Sequence, residues 1–282
     1  MRWFRFILSH SIFISICAFA LCYQTYILLH IQPDAVINSF VFLSTLCSYN
    51  LYWLLSKYSF GKPESFLVFF KKNYSYILLF VMAGVGMVLS LFYRPLIYPY
   101  VVIAVLLTLL YSLPLWPFKW TVYFKKAGFL KTILLAFTWT FVTLLIPASP
   151  VLETTIVPVV ALFLARFLFM MMLCLIFDIR DVKVDKMLGL HSLATDLNRN
   201  TIKRIMQLSF IMYMAAGLFV RYHFEDNNQL FAFGITGLAI WRVYRSSLKQ
   251  QGYLFYYFIV DGLILFSAVA SYIASFFNCS LN

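Results

Sequence analysis

Three aspartates stand close together in a chain that has few acidic residues. Asp178, Asp181 and Asp185 are three of its ten Asp and Glu residues, and they follow a long apolar run. If the segment is helical, their spacing places the carboxylates on one stripe, about 60° wide and about 10 Å long. Like charges on such a stripe repel one another and the negative end of the helix dipole, so a bound cation would stabilise them. Mg²⁺ binds one or two carboxylates and leaves positions for substrate phosphates, so the pattern indicates a metal and phosphate site.

The same segment allows a plainer interpretation. Basic residues lie between and beside the aspartates at Arg180, Lys183 and Lys186, so a solvated loop could hold the acids in ordinary surface ion pairs. The metal site is favoured because the segment ends an apolar run, and acidic groups gathered at a membrane surface are costly unless they serve a ligand. Both interpretations are open at the level of the sequence.

The composition shows which elements must position these residues. Of the 282 residues, 63% are hydrophobic and 11% are charged, and the mean hydropathy is +0.88. A soluble domain has about a quarter of its residues charged, so a soluble fold is excluded. The apolar runs are about twenty residues long, the length of a membrane-crossing helix, and they lack the alternation of a transmembrane β-barrel. The sequence therefore predicts an all-α, polytopic membrane bundle.

Helix-breaking residues mark several of the breaks between the apolar runs, among them Pro33, Pro95 and Gly252. Hydropathy predicts nine transmembrane helices. No stretch is left for a separate soluble domain, so residues 1–282 are predicted to form one transmembrane domain. The nine predicted spans are 6–29, 35–56, 74–93, 97–116, 129–148, 155–177, 204–222, 229–245 and 253–277.

Basic residues set the expected orientation, because Lys and Arg in short loops stay on the cytoplasmic side. Only Arg94 and Arg221 fall opposite the other loop cations. The N-terminus is therefore predicted to be cytoplasmic and the C-terminus outside, in the cytoplasmic membrane. The cations on the cytoplasmic side number 19 of the 22 basic residues: Arg2, Arg5, Lys57, Lys62, Lys71, Lys72, Lys119, Lys125, Lys126, Lys131, Arg180, Lys183, Lys186, Arg199, Lys203, Arg204, Arg242, Arg245 and Lys249.

The net charge of +12 suits membrane lipids with anionic headgroups or an anionic substrate. Nucleic acid is not expected as a partner, because no soluble basic domain exists to hold it. Residues 1–22 also have features of a cleaved signal peptide, with Arg2 and Arg5 before an apolar run. Cleavage would leave eight spans without touching the aspartates, but we expect the segment to be retained.

The aspartate segment resembles a motif of a known family. Its D-x-x-D-x-x-x-D pattern at the end of the sixth span, followed by Gly189 and Ser192-Leu193-Ala194, is similar to the second aspartate-rich motif of the UbiA superfamily of intramembrane prenyltransferases. Tyr111-Ser112-Leu113-Pro114 and the segment 128–139 are similar to that family too. The resemblance implies a UbiA-like bundle that uses Mg²⁺ to transfer a prenyl group from a prenyl diphosphate to an aromatic or other lipophilic acceptor. The catalytic and metal-binding residues that it implies are Asp178, Asp181 and Asp185.

The family's first aspartate motif is not matched. Asn50 fits it, but its aspartate positions hold Leu51, Leu54 and Tyr58. Fixed positive charge on a lysine can stabilise a departing pyrophosphate as a metal does. In a helix, Lys57 lies about 20° from Asn50 on the same face, so we hypothesise that Lys57 contacts the diphosphate. The alternative is a lysine that only anchors the helix at the membrane surface. The resemblance adds Asn50, Tyr111 and Lys119 to Lys57 as substrate-binding residues.

The missing first motif gives the enzyme a rival function. The alternative is a non-catalytic member of the family that binds a prenyl lipid or a partner and does not need the first motif. Apart from the motif, Arg166 and Asp261 lie within predicted spans, where charged groups are costly. We expect both to face the interior of the bundle and to form an ion pair with each other.

Overall fold

The predicted apolar runs are helical over most of their described residues in the computed structural model, which describes residues 2–60, 65–112, 128–152, 155–188, 191–224 and 227–279. These residues include no β-strand, which confirms the all-α prediction. Two π-helical segments, Phe141–Leu145 and Phe255–Val260, lie next to α-helices. The α-helices used below are α1 Arg2–Ser9, α2 Ile12–Leu29, α3 Ala35–Phe60, α4 Phe66–Lys72, α5 Tyr74–Phe92, α6 Tyr98–Ser112, α7 Gly128–Thr140, α8 Ile156–Leu188, α9 Leu193–Asp196, α10 Arg199–Phe224, α11 Asn227–Ser247 and α12 Asp261–Cys279.

Contacts between helices define two ends of the bundle. At one end, Thr132 of α7 meets Asp178 of α8, and we call this the motif end. At the opposite end, Arg94 Nε lies 2.6 Å from Asp34 Oδ2. Burial alone would raise the pKa of Asp34, but hydrogen bonds from Arg94 and from the backbone of α3 outweigh burial and lower that pKa. The two ends therefore carry different charged groups: an ion pair at one end and the acidic stripe at the motif end.

Seven helical segments among the described residues are long and apolar enough to cross a membrane. The helices α3 and α11 are also long, at 26 and 21 residues, but polar side chains such as Asn38, Asn50 and Gln229 lower their apolarity. The chain is a multi-pass membrane protein, whereas the count of nine spans and the orientation stay predictions. The seven segments are Ile12–Leu29, Tyr74–Phe92, Pro95–Ser112, Leu130–Val151, Ile156–Met187, Arg199–His223 and Phe255–Phe277.

The helix α8 lies at the centre of the bundle. Most of its apolar segment is buried by its neighbours, whereas little of α5 and α6 is buried. Met172, Leu175 and Ile176 of α8 are fully buried, while exposed apolar side chains on α5, such as Met82, are suited to contact lipid. The helix that carries the three aspartates is therefore fixed in place by packing along most of its length.

Arg166 of α8 is buried among neutral groups instead of pairing with Asp261. Its guanidinium donates to Thr25 Oγ1, to the carbonyl oxygen of Thr143 at 2.7 Å and to Gln24 Oε1 at 2.9 Å. The predicted ion pair with Asp261 is wrong, because the two residues lie at different depths. Cys174, with which Asp261 interacts electrostatically, is eight residues further along α8, about 12 Å at 1.5 Å per residue.

Candidate functional site at the motif end

The three aspartates stand on one unbroken helix. The helix α8 runs from Ile156 to Leu188, so the helical continuation on which the predicted stripe depends is present. The helical spacing keeps the three Cα positions on one stripe. The carboxylates have different partners, however, and these partners come from other parts of the chain.

Asp178 is held by the neighbouring helix α7. The Thr132 hydroxyl donates a hydrogen bond of 2.6 Å to Asp178 Oδ2. The adjacent Lys131 interacts electrostatically with Asp185, Asp178 and Asp181. A single lysine on α7 therefore offsets part of the mutual repulsion along the stripe, and one oxygen of Asp178 already accepts a hydrogen bond.

Asp181 is paired with the residue that precedes it. Arg180 Nε and Nη2 donate to the two oxygens of Asp181, each at 2.7 Å. Helical geometry alone would point Arg180 away from the stripe, but its long side chain reaches back to Asp181. The guanidinium carbon also lies 4.8 Å from the ring of Phe177, 5.0 Å from that of Tyr256 and 5.1 Å from that of Tyr257. The side chains are 24% and 37% exposed, so water weakens the pair and a ligand could replace it.

Asp185 is the most enclosed of the three, with 6% of its surface exposed. It interacts electrostatically with Lys131, Asp181 and Arg180. In the part of the chain that the structure describes, no three His, Cys, Asp or Glu side chains lie close enough together to hold one metal ion. Joint ligation by all three aspartates therefore has no support in these side-chain positions, and which of them bind Mg²⁺ stays a prediction.

Asn50, the one residue that fits the first motif, is bonded to the break between α1 and α2. Its amide nitrogen donates to the carbonyl oxygens of His10 at 3.1 Å and Leu46 at 2.8 Å. The side chain is fully buried, and its Oδ1 finds no hydrogen-bond donor among the described residues. A direct role for Asn50 in substrate binding stays a prediction, because both of its amide contacts are to the backbone.

A stack of aromatic rings occupies the region beside Asn50, and we call it the aromatic column. The ring of His10 lies between those of Phe6 and Tyr76, with centroid distances of 3.9 and 4.1 Å. Tyr76 stacks on Trp53 at 3.6 Å, and Lys57 Nζ lies 3.9 Å from the centre of the Trp53 ring. Since His10 is enclosed by these rings, burial lowers its pKa.

The side chain of Lys57 lies at the motif end, where it already contacts two other residues. Besides its contact with the Trp53 ring, its Nζ donates to Asn73 Oδ1 at 3.3 Å. A cation over a tryptophan face is stabilised by the ring's electrons, particularly where water is scarce. The hypothesis that Lys57 contacts a diphosphate is therefore untested, and it requires the lysine to exchange these partners.

The predicted substrate-binding tyrosine belongs to a second aromatic group, nearer the middle of the bundle. Tyr111 stacks on Tyr52 at 5.3 Å. The indole nitrogen of Trp139 donates to the Tyr49 hydroxyl at 3.0 Å, and Tyr111 interacts electrostatically with Tyr52 and Tyr49. The remaining predicted residue, Lys119, lies outside the described residues, as do Gly189 and Leu113-Pro114 of the quoted motifs.

Sequence reasoning missed several residues that meet the stripe. In the sequence, Lys131 is a weak candidate for contact with the diphosphate and more an orientation signal, and Thr132 gives no signal. Lys131 is the fourth residue of an apolar helix, and that position could have indicated its role from the sequence, since charged groups within spans usually face the interior. The partner of Lys131 could not be read from the sequence, because Asp178 is 47 positions away.

Comparisons with known proteins agree with this geometry. The sequence model of the UbiA prenyltransferase family matches residues 70–260, about two thirds of the chain. A solved structure concerned with digeranylgeranylglyceryl phosphate synthase in membranes is similar at a TM-score of 0.58 and 16% identity, covering 95% of each chain. The apo structure of a UbiA homolog from Aeropyrum pernix K1 is similar at a TM-score of 0.59 and 11% identity, covering 94% of this chain and 98% of that one. No match was found among curated proteins.

Proposed function

Because the chain belongs to the UbiA prenyltransferase family, we propose that it transfers a prenyl group from a prenyl diphosphate to a lipophilic acceptor within the membrane. The observation that carries this proposal is the acidic stripe of α8 at the motif end, beside cations and aromatic rings. The apolar interior of the bundle suits a prenyl chain, and the charged end suits a diphosphate. An aromatic ring or another lipophilic group would serve as the acceptor.

The donor's diphosphate is proposed to bind between α7 and α8. Lys131 supplies positive charge on the α7 side, and Arg180 supplies it on the α8 side. Both cations already offset the aspartates, so an arriving diphosphate would exchange partners with them. Such pre-placed charges stabilise the pyrophosphate that develops when the allylic C–O bond breaks.

Mg²⁺ fits the donor set if the substrate completes its coordination. Asp178 keeps an oxygen beyond the one bonded to Thr132, and Asp185 lies on the same stripe. Both are proposed to hold the ion; because they are two helical turns, about 10 Å, apart, they would act together only through substrate phosphate or bound water, with Asp181 joining if Arg180 releases it. A magnesium ion commonly takes one or two carboxylates plus substrate phosphates, and it would neutralise charge on the departing pyrophosphate.

A second metal half-site is not expected from the first-motif positions. Leu51 and Leu54 offer no ligand atom, and Asn50 is bonded to backbone carbonyls. Lys57, at the end of the aromatic column, is our proposed substitute for the charge of a second ion. Its contact with Trp53 keeps it at the motif end, within reach of a ligand that exchanges with Asn73.

Non-catalytic binding of a prenyl lipid is the alternative function. The ion pair between Arg180 and Asp181, together with the missing first-motif aspartates, favours it. A binding protein needs the apolar interior and a charged rim, but it does not need to stabilise a leaving group.

Purified protein in detergent or nanodiscs, supplied with radiolabelled prenyl diphosphates of several lengths, separates the two functions. Acceptors would include a phenolic acid, a naphthol and a long-chain alcohol, each with and without Mg²⁺. We expect Mg²⁺-dependent product and about a 10²-fold or larger loss of transfer in Asp178→Asn and in Asp185→Asn, as for loss of a preorganised charge.

The matched control is Asp34→Asn, which changes a carboxylate at the opposite end of the bundle. It should leave donor binding and transfer intact. Lys57→Met should weaken donor binding if the lysine contacts the diphosphate. Donor binding without any product across the acceptor panel would support the binding protein and contradict the enzyme.

A further inference from the structure

Asp261 is a carboxylate inside the bundle that the proposed donor site does not use. It is the first residue of α12, directly after the π-helical segment Phe255–Val260, and it lies within the span Phe255–Phe277. Carboxylates within spans are rare and usually functional, and π-helical segments occur often at functional sites. The contacts found among the described residues include no hydrogen-bond donor to this carboxylate, while its backbone carbonyl accepts from Cys17 Sγ at 3.5 Å.

The surroundings of Asp261 come from three other helices. It interacts electrostatically with Tyr49 of α3, with Cys174 of α8 and with Cys17 of α2. Arg180 is its cationic neighbour, but that guanidinium is engaged with Asp181. We call Tyr49, Cys174 and Asp261 the inner cluster. Within this cluster, Asp261 faces the interior of the bundle and keeps some accessible surface.

The inner cluster lies about one helical turn deeper than the aspartate stripe. Cys174 precedes Asp178 by four residues on α8, which is about 6 Å along the helix on the same face. On the last helix, Tyr257 contacts Arg180, and Asp261 follows it by four residues, again further from the motif end. Cys174 interacts electrostatically with both Asp178 and Asp261, so the two levels adjoin.

This depth places Asp261 beside the reacting carbon of a donor whose diphosphate sits at the stripe. The first carbon of the prenyl chain is bonded directly to the diphosphate oxygen, so it enters the level just beneath the stripe. At that level Tyr49 accepts a hydrogen bond from Trp139, and their rings meet edge to face at 6.1 Å. Aromatic faces at this level would stabilise an allylic cation, and an acceptor that attacks the cation must lie next to Asp261.

We propose that Asp261 is a catalytic base that takes the proton which the acceptor loses on prenylation. The inference rests on the proposed function. In the step, the bond between carbon and diphosphate oxygen breaks and its electron pair leaves with pyrophosphate. The acceptor's aromatic carbon or hydroxyl oxygen gives an electron pair to the prenyl carbon, and the proton on that atom passes to the Asp261 carboxylate. The proton returns to water when the products leave.

The environment of Asp261 suits a base better than a structural ion. A structural carboxylate in a span would be expected to have its oxygens satisfied by donors, as the guanidinium of Arg166 is satisfied by three acceptors. The oxygens of Asp261 instead receive no hydrogen bond from the described residues, and they lie at the level where the acceptor must lose a proton. Removing a positioned base typically slows a reaction about 10²- to 10⁴-fold.

The test compares Asp261→Asn with the wild type, each supplied with a prenyl diphosphate that carries ¹⁸O at the oxygen between the prenyl carbon and the diphosphate. Scrambling of the label into the non-bridging positions reports C–O cleavage, whether or not the cation is captured. In Asp261→Asn we expect donor binding and scrambling at the wild-type level, while prenylated product falls at least about 10²-fold. Asp261→Glu, which keeps the carboxylate, should recover part of the product.

Several outcomes overturn the inference. If Asp261→Asn forms as much product as the wild type, Asp261 is not the base. If scrambling and product fall equally, Asp261 stabilises the cation instead. If Asp261→Asn fails to bind donor, the pair Asp261→Glu and Asp261→Gln, which differ only in ionisation, gives the same comparison. Absence of product in the wild type would overturn the proposed function itself, whereas wild-type product with an unaffected Asp261→Asn overturns this inference alone. Asp34→Asn is the control for a carboxylate-to-amide change.

Discussion

Arg180 holds Asp181 in a bidentate ion pair, with both nitrogen-to-oxygen distances at 2.7 Å. The central member of the acidic stripe is therefore neutralised by its neighbour in the sequence. The same guanidinium lies about 5 Å from three aromatic rings, two of them just before Asp261. Arg180 thus connects the stripe to the last helix, and any ligand that binds Asp181 must displace it.

Replacing Arg180 by Met is expected to raise the affinity of the ligand-free protein for Mg²⁺. Without the guanidinium, the carboxylates repel one another more strongly and a divalent ion relieves more repulsion. Since the pair is partly exposed, we expect an effect of about two- to fivefold, equivalent to less than about 1 kcal/mol. Calorimetric titration with Mg²⁺ measures it. Lys186→Met, at an exposed position of the same helix, is the matched control, and equal affinities in all three proteins would contradict the expectation.

Arg166→Met is expected to destabilise the bundle. The change leaves the side-chain oxygen of Gln24 without its donor, whereas the carbonyl oxygen of Thr143 keeps the hydrogen bond from Thr25 Oγ1. A buried acceptor without a partner costs about 1–3 kcal/mol, so we expect a loss of about 1–3 kcal/mol in the free energy of unfolding.

Thermal unfolding in detergent checks the Arg166 prediction. Arg166→Lys should not restore stability, because a single ammonium cannot match the geometry of a guanidinium that reaches both α2 and a π-helical segment. Arg242→Met, at an exposed position of α11, should behave as the wild type. A melting temperature of Arg166→Met equal to that of the control would refute the structural role of this network.

His10 is expected to make stability depend on pH. Burial lowers its pKa in the folded protein below the ordinary value of 6.5. The unfolded chain therefore binds more protons at acidic pH, and stability is fully present above about pH 6.5 and is lost as the pH falls towards the folded-state pKa. The loss is at most about 1.4 kcal/mol per pH unit.

Melting temperatures measured between neutral and mildly acidic pH test the role of His10. Its Nε2 lies 3.0 Å from Ser75 Oγ, a contact that a glutamine can replace without titrating. His10→Gln should flatten the dependence on pH in this window. A profile unchanged in His10→Gln would assign the dependence to another group.

The sequence alone determined the fold class and the position of the acidic stripe. Apolar runs of membrane-spanning length dictate helices, because a backbone in lipid must satisfy its own hydrogen bonds. Spacing of three and four residues puts Asp178, Asp181 and Asp185 on one helical stripe. Both statements depend on local periodicity, and the helix runs through the motif in the structure. The residues 70–260 that match the family include that motif.

The partners of these residues were decided only by the tertiary structure. Lys131 and Thr132 meet Asp178 across two helices, and no local pattern specifies which faces of α7 and α8 touch. Arg166 and Asp261 seemed equal in depth along the sequence, but packing sets them about 12 Å apart along the bundle. A charge in a span reveals that it must face the interior, whereas its partner depends on how long helices are offset against one another. Sequence periodicity fixes the angle of a side chain around its helix, and only packing fixes the height at which it meets its neighbour.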